Sequence, residues 1–393
     1  MTTTAAAALR APADSAVAVQ RIGWWALLGV VASLQISIAA AQICLTLAVI
    51  AWLLRARQSG TLVVPSIAWP LVAYALWTLV SAGVSRDPAV SVPDTKQLVL
   101  FLLVPVVFEF ARGPRARTVA TVALTIGAAS AFIGVVQYGL LNYDNLGRRP
   151  QGTLSHWMTY SGTLMLVICG SVARLLFDHR DRVWAAVVMP ALVVALGLTF
   201  TRSAWVGVFA GVGVLFMLKD RRLVGVLPFV AAVFIALAPA AITERAASMF
   251  DMNDPTNRDR VAMLEAGRAM VHDHPLTGVG PDMVRVVYPR YRVPWAVEPT
   301  NPHLHNVPVQ IAAERGLPAL AFWAWFVVAV VRGLWRRMPR TRMPALAAGG
   351  LAAMAAMLTA GLFEYNFGDS EFLMLLLVFV TLPFAADRDG GLP

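Results

Sequence analysis

The run TVATVALTIGAASAFIGVVQYGL, from Thr118 to Leu140, decides the fold: 23 residues without a charged side chain, preceded by Arg112, Arg115 and Arg117. About 20 apolar residues cross a bilayer core as a helix, and basic residues collect at the cytoplasmic ends of such spans. Comparable runs lie at 62–84, 97–111, 157–177, 183–199, 203–218, 223–243, 308–331, 343–363 and 371–385. The stretch from Ile22 to Leu54 is too long for one span. Ser33, Gln35, Ser37 and Gln42 in its middle divide it into a tight pair of short helices. The expected architecture is an all-α, polytopic membrane protein with about twelve spans in one membrane-embedded unit, residues 1–393.

Composition agrees. Of 393 residues, 58% are hydrophobic and 14% charged, whereas soluble domains have about 45–50% apolar and about 25% charged residues. Too few polar groups remain to cover a water-facing surface, which excludes a soluble enzyme, a disordered chain and a nucleic-acid-binding domain. Cys44 and Cys169 sit inside apolar runs, without metal spacing or a disulfide pattern. Met1 to Gln20 reads as a loose tail, and with no cleavage signal after a short apolar core the first hydrophobic run is expected to be kept.

The net charge is +10, and Lys96 and Lys219 are the only lysines. With both termini cytoplasmic, the inside collects Arg10, Arg21, Arg55, Arg57, Arg112, Arg115, Arg117, Arg174, Arg180 and Arg182. It also takes Lys219, Arg221, Arg222, Arg332, Arg336, Arg337, Arg340, Arg342 and Arg388, making 19 of the 32 basic residues. Seven of the other thirteen lie in one long loop, so the short loops divide 19 against 6. This contrast favours that orientation, with membrane lipids as partners of the basic face.

The long segment 244–306 breaks the pattern. It carries Arg245, Arg258, Arg260, Arg268, Arg285, Arg290 and Arg292, with His272, His274, His303 and His305. Loops of this length are usually functional. Val261, Met263, Leu264, Ala266, Met270 and Val271 fit an amphipathic helix from Arg258 to His272, which Pro275 ends; Gly278 and Gly280 then mark a turn.

Three constellations project to this outer face. In TFTRSAW, Thr199 to Trp205, Arg202 stands at the start of a helix, whose free N–H groups add to the charge that attracts an anion. The plainer alternative is that Arg202 reaches for lipid headgroups. In Asn257-Arg258-Asp259-Arg260, two arginines offset by two residues point to different faces, so one of them addresses a shared site. Their planar forks suit a diphosphate, and pairing with Asp254 or Asp259 on a solvated surface is the alternative. The loop acids Asp251, Asp254, Asp259, Asp273 and Asp282 lack calcium-loop spacing.

The third constellation is Asn301-Pro302-His303-Leu304-His305-Asn306. An imidazole that titrates near neutrality can take a proton from an attacking hydroxyl. The alternatives are a zinc pair, for which the i, i+2 spacing lacks a third ligand nearby, and Asn306 capping a helix beside bystander histidines. Glu314 falls more than two turns down that helix, out of reach of His305, and is expected to anchor it or pair with an arginine.

At these residues the sequence resembles the O-antigen ligase and polymerase superfamily of bacterial inner-membrane proteins. The resemblance rests on TRSAWVG at Thr201–Gly207, RVAMLEAG at Arg260–Gly267, HPLTGVGP at His274–Pro281 and HNVPVQIAAERGLP at His305–Pro318. It covers roughly the second half of the chain; the first half matches only in hydropathy. It implies a GT-C-type, inverting glycosyltransferase that needs no metal or cofactor and uses an undecaprenyl-diphosphate-linked O-antigen donor. In a ligase the acceptor is lipid A–core and the product is lipopolysaccharide. Residue by residue, it makes His305 the base and Arg202 and Arg260 the donor-diphosphate ligands. His303 and Pro308 depart from the commoner pattern, which leaves His303 as a second candidate for the base. Arg258, Arg290, Arg292, Arg148 and Arg149 are further candidates for substrate phosphates.

The site would face the periplasm, with 244–306 as a loop subdomain. A polymerase, using the same donor with a second lipid-linked repeat as acceptor, is the nearest rival. A lipid-linked sugar flippase or transporter fits less well, because the spans are nearly free of charge and the polar groups gather on one face.

Overall fold

The computed structural model describes residues 3–388, which form helices and connecting turns without a β-strand among them. Sixteen α-helices follow in order. The first half contains α1 (Thr3–Ser33), α2 (Ile38–Ser59), α3 (Ala68–Gly83), α4 (Pro88–Asp94), α5 (Leu103–Phe110), α6 (Arg115–Leu141) and α7 (Trp157–Phe177). Next come α8 (Arg182–Leu198), α9 (Arg202–Lys219), α10 (Leu227–Leu237), α11 (Ala240–Ala247), α12 (Pro255–Asp273) and α13 (Val284–Tyr291). The chain closes with α14 (Val307–Arg337), α15 (Pro344–Ala360) and α16 (Ser370–Ala386).

Seven helical segments are long and apolar enough to cross a membrane: Ser15–Ser33, Ile38–Ser59, Pro88–Phe110, Arg115–Leu141, Trp157–Phe177, Arg202–Lys219 and Val307–Arg337. Four shorter apolar helices accompany them, α3, α8, α15 and α16. The chain is therefore a multi-pass helical membrane protein. Three sequence expectations change in detail. Residues 3–20, read as a loose tail, are helical and continue into α1, whereas Met1 and Thr2 lie outside the described residues. The 97–111 run is a composite of a 3-10 turn (Thr95–Leu102) and α5, with Pro93 and Pro105 interrupting regular hydrogen bonding. The 223–243 run is broken into the 11-residue α10, entered through a 3-10 turn and ended before Pro239, and the start of α11.

The bundle is organised around α16, buried at every position from Phe372 to Ala385. An all-round apolar surface suits a membrane span, and its burial on every side places this one inside the bundle rather than at the lipid face. On one flank α15, rich in alanine and glycine, packs closely on α7 and α9. A methyl group on Gly207 or Gly211 of α9 would come within 3.0 and 2.9 Å of the Ala356 and Ala352 carbonyls of α15. Small residues allow this approach where no water-driven effect holds helices together.

The segment after α10 is folded. Asp254 caps α12 by accepting from Asn257 N at 3.2 Å, and α12 buries Met263, Ala266 and Met270. Val261 and Leu264, also expected on its apolar face, are exposed. A second, smaller apolar cluster joins α12 and α13 to Leu304 and to Ala313 of α14.

Helix α14 is two helices meeting at Gly316, whose φ of 80° and ψ of 172° interrupt the ladder. The HPLTGVGP turn fills that break. Val279 N and Gly280 N donate to the Ala313 and Glu314 carbonyls at 2.8 and 2.9 Å, and Leu317 N donates to Pro275 O at 2.8 Å. From α3, Ser81 Oγ donates to Thr277 O and Trp77 Nε1 to Arg315 O. As expected, Glu314 pairs with an arginine, its neighbour Arg315, at 2.5 Å; Arg315 also reaches Asp94 at 3.1 Å.

Candidate active site

Two strained turns bring the motifs together. Phe200 (φ 54°) precedes Arg202 and His305 itself has φ 47°, a region that costs a non-glycine residue roughly 1–2 kcal/mol. Each turn is braced. Trp205 Nε1 donates to Leu196 O at 3.1 Å, fixing the start of α9. Around His305, Asn306 Oδ1 caps α14 by accepting from Val309 N at 3.0 Å, while its amide donates to Leu362 O at 3.0 Å. Gln310 Oε1 accepts from Leu304 N at 2.6 Å. The helix cap considered above exists, and it serves to hold the imidazole.

Arg202, Arg260 and His305 line one cavity of about 330 Å³, together with Arg149 and Arg245. Arg202 is buried. Its Nη1 donates to Ser248 Oγ at 2.8 Å and its Nη2 to Asn257 Oδ1 at 3.0 Å. Asp254 lies 3.5 Å from Arg202 and 3.8 Å from Arg245. Arg149 donates to Leu146 O at 3.0 Å and lies over the Trp157 ring. Arg260 has no hydrogen-bond partner among the described residues.

The guanidinium groups feel one another. Burial, then Arg245 and Arg202, lower Arg149 to about 10. Burial, then Arg202, lowers Arg245. For Arg260, burial lowers the value most, with Arg202 and Arg245 acting the same way and Glu364 opposing them. Nearby acids are Asp254, Asp259 and Glu298, and Asp259 is engaged by Glu298 N and the Asn301 amide at 3.1 and 3.2 Å. A half-buried guanidinium without a protein partner, lining a cavity, favours an anion with several acceptor oxygens.

Glu364, between α15 and α16, completes the site. Its Oε2 lies 2.8 Å from His305 Nδ1, and its Oε1 accepts from Tyr365 N at 3.1 Å. Burial pushes the Glu364 carboxyl up, but the hydrogen bond from His305 and the charges of His305, His303 and Arg260 outweigh it and hold the group low. An ionised carboxylate only accepts, so Nδ1 carries a proton, and in the neutral form of the imidazole the lone pair is then on Nε2. The ring of His303 stands 4.2 Å from that of His305. Burial, then His305, lowers His303 to about 4.

His303, His305 and Glu364 also form a trio whose donor atoms lie within 4.8 Å of one another, so Glu364 would supply the third ligand that the sequence spacing lacked. Ligand atoms about 2.0–2.1 Å from one tetrahedral zinc ion are roughly 3.4 Å apart. The 2.8 Å contact between His305 and Glu364 is that of a direct hydrogen bond.

The further sequence candidates divide. Arg149 lines the cavity and His303 adjoins it. Arg258, Arg290 and Arg292 are exposed and outside it, and Arg148 lies over the Tyr143 ring. Of the two arginines opening α12, only Arg260 turns to the cavity, as their offset predicts. Sequence reading missed Glu364 and the site role of Arg245. For Glu364 a signal existed, because the short link between the last two apolar runs holds Glu364 and Asp369, next to Glu371, in a chain with few acids. Arg245 had none beyond its place in the long loop.

Residues 185–324 match the family model described as O-antigen ligase. The matched segment contains all four motifs on which the sequence resemblance rests, from Thr201–Gly207 to His305–Pro318. No curated protein matches the chain.

Proposed function

We propose that the chain is an O-antigen ligase, an inverting GT-C-type glycosyltransferase that works without a metal. It moves O-antigen polysaccharide from undecaprenyl diphosphate to lipid A–core. The observation that carries this reading is the meeting of Arg260, a guanidinium without a hydrogen-bond partner, with Arg202 and His305 around one cavity. Counted with the seven long helices, the four shorter ones and the segment around α10 would bring the number of crossings to the expected twelve. With the arginine-rich ends in the cytoplasm, both termini lie there and the cavity opens to the periplasm of a bacterial inner membrane.

The chemistry follows from these groups. The donor tail stays in lipid while its diphosphate enters between Arg202 and Arg260. The acceptor hydroxyl oxygen attacks the anomeric carbon from the side opposite the diphosphate, and its proton passes to His305 Nε2. The bond from that carbon to the diphosphate oxygen breaks, leaving its electron pair on oxygen. Fixed guanidinium groups stabilise the charge as it grows, a role a metal ion fills elsewhere. Glu364 keeps the imidazole in the right tautomer and stabilises its cation. The exposed Arg258, Arg290 and Arg292 suit a phosphorylated acceptor, which favours a ligase over a polymerase.

A gel of lipopolysaccharide from a deletion strain tests the reading. Loss of all capped lipopolysaccharide, restored by the intact gene, is expected. A single capped repeat would mean a polymerase. Glycan transfer by purified protein in detergent, where no gradient exists, separates either from a transporter.

A further inference from the structure

Helix α16 starts beside the active site and runs 17 residues, so its far end lies roughly 25 Å away, at the opposite face of the bundle. Three arginines, the neighbouring Arg112 and the remote Arg55 and Arg388, converge there on Glu109, which is buried at the end of α5. Arg388 Nη1 donates to Glu109 Oε2 at 2.9 Å and to Phe108 O at 3.0 Å. Arg112 pairs with Glu109 Oε1, and Arg55 Nε stands 3.8 Å from the same oxygen. Arg55 makes no hydrogen bond among the described residues.

One carboxylate balances one guanidinium, so the cluster keeps two positive charges. They face a separate cavity of about 220 Å³, whose apolar wall includes Trp52 and Val63. Three like charges gathered around one carboxylate repel one another, and a second anion relieves that repulsion. Arginine forks match phosphate oxygens in geometry as well as charge. The apolar wall suits a group that carries hydrocarbon beside its phosphate.

We propose that this cavity binds a phosphate-bearing anion, met in the membrane as the headgroup of an anionic phospholipid and held by Arg55, Arg112 and Arg388. The site is independent of the glycosyltransferase reading and lies on the other face of the molecule. A brace built only to hold Glu109 would have no use for a ligand.

The full-length protein in detergent is titrated with phosphatidylglycerol, with phosphatidylcholine and with inorganic phosphate. Native mass spectrometry counts bound lipid and thermal unfolding follows stabilisation. Phosphatidylglycerol is expected to bind and raise Tm, and phosphatidylcholine to do neither. Arg55→Gln should weaken phosphatidylglycerol binding about tenfold, as loss of one charge-assisted contact implies. Inorganic phosphate stabilising as strongly as phosphatidylglycerol would support the anion site with free phosphate as its source. Equal binding of both lipids, or unchanged phosphatidylglycerol binding by folded Arg55→Gln, overturns the proposal. If Arg55→Gln does not fold, Arg55→Lys decides: weaker binding supports the fork, and unchanged binding overturns it.

Discussion

His305 and Glu364, 59 positions apart in the chain, share a 2.8 Å contact between Nδ1 and Oε2 that leaves the other imidazole nitrogen free. If that nitrogen receives the acceptor proton, His305→Ala lowers the transfer rate by about 10²–10⁴-fold, with the protein still inserted and folded. Glu364→Gln keeps a partner for Nδ1 but removes the charge, so a smaller loss in kcat is expected with little change in KM. Normal turnover by folded His305→Ala would move the base assignment to His303.

His303 makes stability depend on pH. Its folded value, about 4, lies below the unfolded one near 6.5. Its contribution is therefore complete above about pH 6.5 and is lost as the pH falls toward 4. Thermal midpoints across this window should decline less steeply in His303→Gln. Because His303 stays neutral from pH 5 to 8, that substitution should also leave the shape of the transfer rate against pH unchanged. An equal decline in both proteins would contradict the assignment.

Arg260 and Arg202 test the fork. Arg202 spends two donors on Ser248 and Asn257, whereas Arg260 spends none. Lysine at either position keeps the charge but loses paired donors. Both variants should lose about tenfold to a hundredfold in kcat/KM, the scale of one or two charge-assisted contacts. Arg202→Lys should in addition lower Tm, because it releases the Ser248 turn from α9. Full activity in Arg260→Lys would remove it from the diphosphate site.

The three donors at His303, His305 and Glu364 make a chelator experiment informative. Transfer by purified protein in excess EDTA should match the untreated rate. A loss restored by one added divalent ion would assign those side chains to a metal.

Gly316 carries the junction between α14 and the HPLTGVGP turn. A Cβ there would stand 1.9 Å from Leu276 O, on a backbone at φ 80°. Gly316→Ala should destabilise the protein by more than about 2 kcal/mol, through a forced backbone shift and strain. Unfolding by heat or urea measures it, and an unchanged midpoint would show that the turn yields freely.

Much of this was readable from the sequence because the deciding signals are local. Uncharged runs such as 118–140 mark helices wherever they pack, and the offset of Arg258 and Arg260 told that only one of the two turns inward. What escaped depends on packing between distant segments. Glu364 comes to His305 only because α15 returns the chain to the start of α14, where Val307 N donates to Gly361 O at 2.7 Å. Arg245 joins the cavity through a short helix whose pattern is ambiguous. The break at Gly316 was hidden because its apolar surroundings read as one continuous span.

Asp254 has a consequence for what the arginine cavity accepts. Its carboxylate already stands between Arg202 and Arg245, at 3.5 and 3.8 Å, so entry there is an exchange of one counter-ion for another. A singly charged phosphodiester would bring no more charge than the occupant it must displace. A pyrophosphate bridge would bring twice as much, so under the proposed function the incumbent acid would set a threshold in favour of the doubly charged donor.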